Sequence, residues 1–232
     1  MRPVHVEPPS ELGTRDGLAY ALFLPEGEAA GGVVSIHGAG SRKENHFDFG
    51  RAVRAAGYAV VVFDQRGHGE SEGALGANAI EDVATVASIL PPGPVALRGS
   101  SMGGFMALVA GAKLDVAAVV AICPATSALL AQGLRSDDFD FRADHESLYS
   151  LLEVTDERAA ATALGPRLLL LHAEGDERVP IASSRALHEA APGSRLVAVP
   201  GGHHQSIQHD GELTALAVRF LTRALSTARA EP

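Results

Sequence analysis

Val95-Ala96-Leu97-Arg98-Gly99-Ser100-Ser101-Met102-Gly103-Gly104-Phe105-Met106-Ala107-Leu108 decides how this chain is read. The stretch is a short apolar strand, a serine between glycines and then an apolar helix. Gly99-Ser100-Ser101-Met102-Gly103 fits the pattern G-x-S-x-G. A serine lifted onto a tight strand-to-helix bend has a strained backbone, so the residues two positions to either side must be small. Gly99 and Gly103 meet that demand, and Gly104 lets the helix lie close to the sheet. The start of the helix aims unpaired N–H groups and the positive end of its dipole at Ser101, where an oxyanion would form.

The spelling alone is not enough. Gly69-Glu70-Ser71-Glu72-Gly73 matches the same pattern, but its serine lies between two glutamates that oppose a developing negative charge, and no apolar helix follows. Ser71 is therefore read as a loop residue and Ser101 as the nucleophile. A serine hydroxyl is a weak nucleophile unless a base takes its proton. Arg167-Leu168-Leu169-Leu170-Leu171-His172, bounded by Pro166, reads as a strand buried on both faces. Asp176 follows on the loop at its carboxyl end. Arg195-Leu196-Val197-Ala198-Val199-Pro200 reads as another strand, followed by Gly201-Gly202-His203-His204.

The order serine, acid, histidine, each just after a strand, resembles the α/β-hydrolase family. His37-Gly38-Ala39-Gly40 after the strand Gly32 to Ile36 adds to the likeness. So does Asp64-Gln65-Arg66-Gly67-His68-Gly69-Glu70-Ser71, close to D-x-R-G-H-G-x-S. The resemblance covers nearly the whole chain. It implies an α/β fold with a mostly parallel central sheet, helices on both faces and a short helical cap insertion. Laid on the family's P-G-x-x-H segment, Pro200 to His204 selects His204 as the base, with His203 as the alternative base or else lining the loop toward the substrate. The G-x-x-D-x-x-V-P spacing selects Asp176 as the acid, with capping of the helix near Pro180 as its plainer reading. The oxyanion donors implied are the N–H groups of Met102 and Ala39, while His37 holds its loop by hydrogen bonding.

The activity implied is a serine hydrolase that cleaves carboxylic esters of small or slender acyl groups through an acyl-enzyme. Thioester, amide or peptide, and carbon–carbon hydrolysis use the same machinery. A non-catalytic, ligand-binding member of the fold is the competing class. No metal or organic cofactor is implied. The run His203, His204, His209 and Asp210 is accounted for by the histidine loop, whereas a zinc site shows ligands at fixed close spacing with a defined further partner.

At 232 residues, the chain reads as a single domain, 1–232. A net charge of −9 argues against nucleic acid as a partner, because phosphate binding needs a basic face. A small-molecule ester is the partner expected. Cys123 is the single cysteine, which excludes an intrachain disulfide; set in an apolar strand, it reads as core filler. The amino end, Met1 to Pro9, has no apolar core of a signal peptide, and no run reaches membrane-spanning length. A cytoplasmic protein is expected.

Strand and helix alternate along the chain. Leu18 to Leu24 is expected as an early strand in an antiparallel edge of the sheet. A helix carrying Phe49, Val53 and Ala56 ends at Gly57, and a strand follows from Tyr58 to Phe63. Asn78 and Glu81 resemble a capping box ahead of a helix ending near Pro91-Pro92. The last helix has Leu213, Leu216, Ala217, Phe220 and Leu221 on one stripe. Residues 126–160 are expected as the cap, a lid whose Phe139, Phe141, Leu148 and Tyr149 face the acyl pocket or else only anchor the lid. The acids Glu70, Glu72, Asp137, Asp138 and Asp140 are read as solvated surface groups rather than as a site for a cationic substrate.

Overall fold

The computed structural model describes residues 6–29, 31–136 and 138–230. Asp137 and the start of the amino-terminal stretch, Met1 to His5, lie outside the described residues. Eight strands form one sheet in the order β1-β2-β4-β3-β5-β6-β7-β8. They are β1 (Glu11–Arg15), β2 (Leu18–Phe23), β3 (Gly32–Ile36), β4 (Ala59–Phe63), β5 (Val95–Ser100), β6 (Ala118–Ile122), β7 (Leu168–Ala173) and β8 (Arg195–Val199). β2 is antiparallel to both of its neighbours, and the rest of the sheet is parallel. The expected strand lies, as β2, in an antiparallel edge of the sheet, with one further strand outside it. β1, mostly exposed and too polar to stand out in the sequence, covers it.

The run Ala59-Val60-Val61-Val62-Phe63 is buried throughout, as a strand covered on both sides must be. Side chains alternate between two cores. Val34, Val61, Leu97, Val119 and Leu170 face α2 (Ala79–Ala87), α3 (Met102–Lys113) and α6 (Glu157–Leu164). Val33, Val60, Ala96, Val120 and Leu171 face α1 (Phe47–Ala55) and α8 (Gly211–Ala230). Gly57, at φ 87°, ends the first helix as expected. The capping box at Asn78 does not form. Asn78 has φ −80° and ψ 4°, close to helical, so its side chain cannot fold back onto the free N–H groups as an extended N-cap residue does. Among the described residues no helix is long and apolar enough to cross a membrane.

Between β6 and β7 lie α4 (Ser127–Arg135), α5 (His145–Val154) and α6. The segment joining α4 to α5 is strapped to the loop after β4. Leu75 N–H donates to Arg142 O at 2.9 Å, and Asp144 N–H donates back to Leu75 O at 2.8 Å. At Gly67, with φ 79°, a Cβ would lie 2.0 Å from the Arg142 carbonyl, so only glycine permits this approach. The remaining helix, α7 (Ile181–Ala190), follows β7.

The bend after β5 packs backbone against backbone. A Cβ at Gly103 would sit 2.3 Å from Ile36 O and 2.4 Å from His37 O, and one at Gly99 would sit 1.9 Å from Gly103 O. These are backbone atoms with nowhere to move. Gly103→Ala is therefore expected to lose about 2 kcal/mol or more of stability, although alanine gains about 1 kcal/mol of helix propensity. Urea unfolding measures this, and an unchanged or higher midpoint would contradict the packing described.

Candidate active site

The parallel strands bring five loops to one end of the sheet. Ser101 directly follows β5, Cys123 follows β6, Asp176 lies on the loop after β7, His204 on the loop after β8, and His37-Gly38-Ala39 after β3. Because β5, β6, β7 and β8 are consecutive neighbours, residues far apart in sequence meet there.

Ser101 has φ 54° and ψ −119°, a conformation that costs an L-residue on the order of 1–3 kcal/mol. Its surroundings hold it. Its N–H donates to Ile122 O at 2.9 Å, and its carbonyl accepts from Ala125 N–H and Phe105 N–H, each at 3.1 Å. Met102 is the first residue of α3, so its N–H has no acceptor within the helix. A Cβ on Gly38 would lie 3.2 Å from the Ser101 Cβ, which sets the Ala39 loop directly against the bend. His37 fixes that loop. Its Nε2 accepts from Gln65 N–H at 3.0 Å, so Nδ1 carries the proton and donates to Gly38 O at 2.7 Å. Burial pulls the His37 pKa down to about 4.

Asp176 is fully buried. Its Oδ1 accepts from Arg178 N–H at 2.9 Å and from Val179 N–H at 2.8 Å. Its Oδ2 lies 2.7 Å from His204 Nδ1. Burial alone would raise its pKa. The Val179 N–H, the His204 ring, the Cys123 thiol and the Arg178 N–H outweigh that and hold the carboxyl below its usual range. An ionised carboxylate only accepts, so Nδ1 of His204 must carry the proton, leaving the Nε2 lone pair as a base. His204 and Ser101 line one cleft of about 1010 Å³, together with Gly38, Ala39 and Ser100. Among the described residues no hydrogen bond joins the Ser101 hydroxyl to the ring. A groove of about 1120 Å³ at the opposite end of the sheet, lined by Arg195, Arg219 and Phe220, holds no serine–histidine pair.

The other expected residues are distributed unevenly. Phe139 lines the cleft. Phe141 and Leu148 line a small apolar void behind it. Tyr149 donates to Ala131 O at 3.2 Å and lies beneath Arg135. The His203 side chain is exposed, whereas the His204 side chain is 8% exposed and turned onto Asp176. His209 lines the cleft as well but pairs with Asp48, and Asp210 caps α8, so each has a partner other than the His204–Asp176 pair. Glu70 pairs with Lys43, while Asp138 and Asp140 line the cleft. Ser71 is buried in its loop and accepts from Ala19 N–H at 2.9 Å.

Two residues at the site escaped the sequence reading. Cys123 Sγ, an Asp176 oxygen and a His204 nitrogen lie within 4.8 Å of one another. Cys123 packs in the core as expected, and its place beside the acid and the histidine follows from β6 lying between β5 and β7. The three form the one set of possible metal ligands among the described residues. Burial first, and then the adjacent carboxylate, hold the thiol protonated, which disfavours metal binding. The second is Arg98, fully buried on β5 with no carboxylate in ion-pair distance among the described residues. Burial lowers its pKa to about 10. It lies 2.7 Å from His46 Nδ1, donates to Gln208 O at 3.1 Å and sits 4.9 Å over the Phe49 ring. It thereby ties the loop of His204 to the strand of Ser101. The one visible signal was a lone charge within an apolar strand.

The amino-terminal part of the chain, residues 27–137, matches a family model described as serine aminopeptidase, S33, and residues 151–228 match one described as TAP-like protein. The chain belongs to the α/β-hydrolase family. This α/β-hydrolase is 26% identical to a monoacylglycerol lipase of Mycolicibacterium smegmatis, over 81% of this chain and 86% of the relative. Among solved structures, Est1E from Butyrivibrio proteoclasticus, with ferulic acid bound, has a TM-score of 0.74 at 18% identity, covering 96% of this chain and all (100%) of that one. A monoacylglycerol lipase from Paleococcus ferrophilus gives 0.70 at 23% identity, covering 91% and 99%. These structures share the fold.

The buried neutral histidine makes stability depend on pH. In the unfolded chain His37 takes up a proton near its ordinary 6.5, but in the folded protein only near about 4. Below 6.5 the unfolded state binds more protons, so stability falls as pH falls and by about 3 kcal/mol once the pH reaches 4. His46, His68 and His172, each lowered by burial first, act in the same direction. Urea midpoints should drop between about pH 7 and pH 5, and a flat profile would contradict a neutral His37.

Proposed function

We propose that this α/β-hydrolase cleaves carboxylic esters of small or slender acyl groups, with Ser101 as nucleophile, His204 as general base and Asp176 as the acid that orients it. The observation that carries the reading is the imidazole–carboxylate pair at 2.7 Å, facing the same cleft as a serine at positive φ. Ser101 Oγ attacks the acyl carbon while His204 Nε2 takes its proton. The resulting oxyanion is received by the N–H groups of Met102 and Ala39, each such donor contributing about 3 kcal/mol in the transition state. The ring then protonates the departing alcohol and activates the water that hydrolyses the acyl-enzyme. Asp176 stays ionised, as its depressed pKa favours.

Two named relatives, the monoacylglycerol lipases of Mycolicibacterium smegmatis and Paleococcus ferrophilus, are ester hydrolases, which supports an ester over the other acyl substrates. The family model described as serine aminopeptidase favours an amide as the second reading. A single buried cysteine fits a reducing compartment, and we place the enzyme in the cytoplasm.

p-Nitrophenyl esters of graded chain length, beside p-nitroanilides, test the chemistry. Ester turnover should exceed anilide turnover, and Ser101→Ala should lose at least about a thousandfold. Activity surviving in Ser101→Ala would remove the proposed nucleophile.

His204→Ala should fall as far as Ser101→Ala, since the two act as a unit. His203→Ala should retain near-normal kcat. The reverse pattern would exchange the two histidines.

A further inference from the structure

Two spaces meet at the side chains of Leu130 and Phe139. One is the open cleft that holds Ser101 and His204. The other is a void of about 10 Å³ lined by Met102, Met106, Leu134, Phe141 and Leu148 beside the two shared walls. It offers no polar partner and about one water's worth of room, so it is dry. It also lies immediately behind the nucleophile bend, because Met102 is the residue after Ser101.

Phe139 is held in place as a wall. Its ring lies against Gly133, where a Cβ would come within 2.4 Å of Cζ. It stacks on Phe141 at 5.1 Å, and Phe141 in turn stacks on His68 at 4.3 Å. On the cleft side, the insertion contributes Leu129, Leu130 and Phe139 as apolar surface, with Ala39, Ala125 and Val179 from the body. Gln132, Asp138 and Asp140, which flank Gly133 and Phe139 in the chain, line the same cleft. A methylene chain laid against them would displace water from carboxylates and gain no apolar contact.

We propose that Phe139 sets the acyl length, closing the acyl site off from the apolar void and restricting this enzyme to short-chain esters. The inference rests on the ester-hydrolase reading above. Removing the ring joins the two spaces, and the flexible Met102 and Met106 side chains can make room for further methylenes. Each methylene that finds an apolar lining is worth about fourfold in kcat/KM.

The experiment compares kcat/KM for p-nitrophenyl acetate, butyrate and octanoate in the wild type, Phe139→Ala, Phe139→Leu and Phe141→Ala. The wild type should prefer acetate and butyrate. Phe139→Ala should raise the octanoate-to-butyrate ratio at least about tenfold, and Phe139→Leu, which keeps an apolar contact on Gly133, should raise it by less. Phe141→Ala enlarges the void without opening it to the cleft and should leave the ratio near the wild-type value. Wild-type preference for octanoate overturns the proposal. So does an unchanged ratio in whichever Phe139 variant folds and turns over butyrate, or an equal shift in Phe141→Ala. Failure of the wild type on all three esters overturns the ester reading itself, and the proposal with it.

Discussion

Everything at the cleft depends on the backbone corner at Ser101. An L-residue at φ 54° and ψ −119° is there against its own preference, so other contacts must hold it. The β-ladder does so, extending one residue past the strand through Ser101 N–H to Ile122 O. Steric closeness completes the trap. Gly99 stands against Gly103, and Gly103 against the carbonyls of Ile36 and His37, at distances no Cβ could occupy. The corner is thus rigid on both sides, and it sets three things at once. It raises the hydroxyl above the sheet, it starts a helix whose first N–H is free, and it brings the Ala39 loop within contact.

The remaining polar groups arrive by strand order. Each parallel neighbour sits about 4.8 Å away, so a loop at the end of β8 reaches a loop at the end of β7 directly, and β6 fills the space between the acid and the serine. This explains why a thiol rests beside Asp176. The electrostatics follow from the same crowding. A carboxylate fully removed from water stays ionised because four donors converge on it, and that ionisation fixes the tautomer of His204. Arg98 is the converse case, a buried cation met by a neutral ring, a carbonyl and an aromatic face. Its position makes it a brace between the loop of His204 and the strand that leads into Ser101.

The insertion between β6 and β7 is joined to the body at several points. Reciprocal hydrogen bonds between Leu75 and the Arg142–Asp144 segment, the approach allowed by Gly67 and the stack of Phe141 on His68 fasten it to the loop after β4. His68 also meets His37 edge-on at 4.8 Å, so a continuous line of rings runs from the His37 loop to Phe139. The shape of the cleft is therefore set by packing already present in this state.

The sequence by itself determined the fold class, the serine corner and the acid and histidine loops. Those features are written in local chemistry: glycines where a Cβ cannot fit, apolar runs where both faces of a strand are covered, and an acid and a histidine directly after such runs. The capping box at Asn78 misread the same language, because spacing alone does not fix the φ and ψ that a cap requires. The tertiary structure alone decided that Cys123 lies against Asp176, that Arg98 joins its strand to the distant loop of His204, and that only Phe139 of the four insertion residues reaches the cleft. These are contacts between segments distant in the chain. No local propensity encodes them, because they arise only when strand order and helix packing fix which side chains share a space.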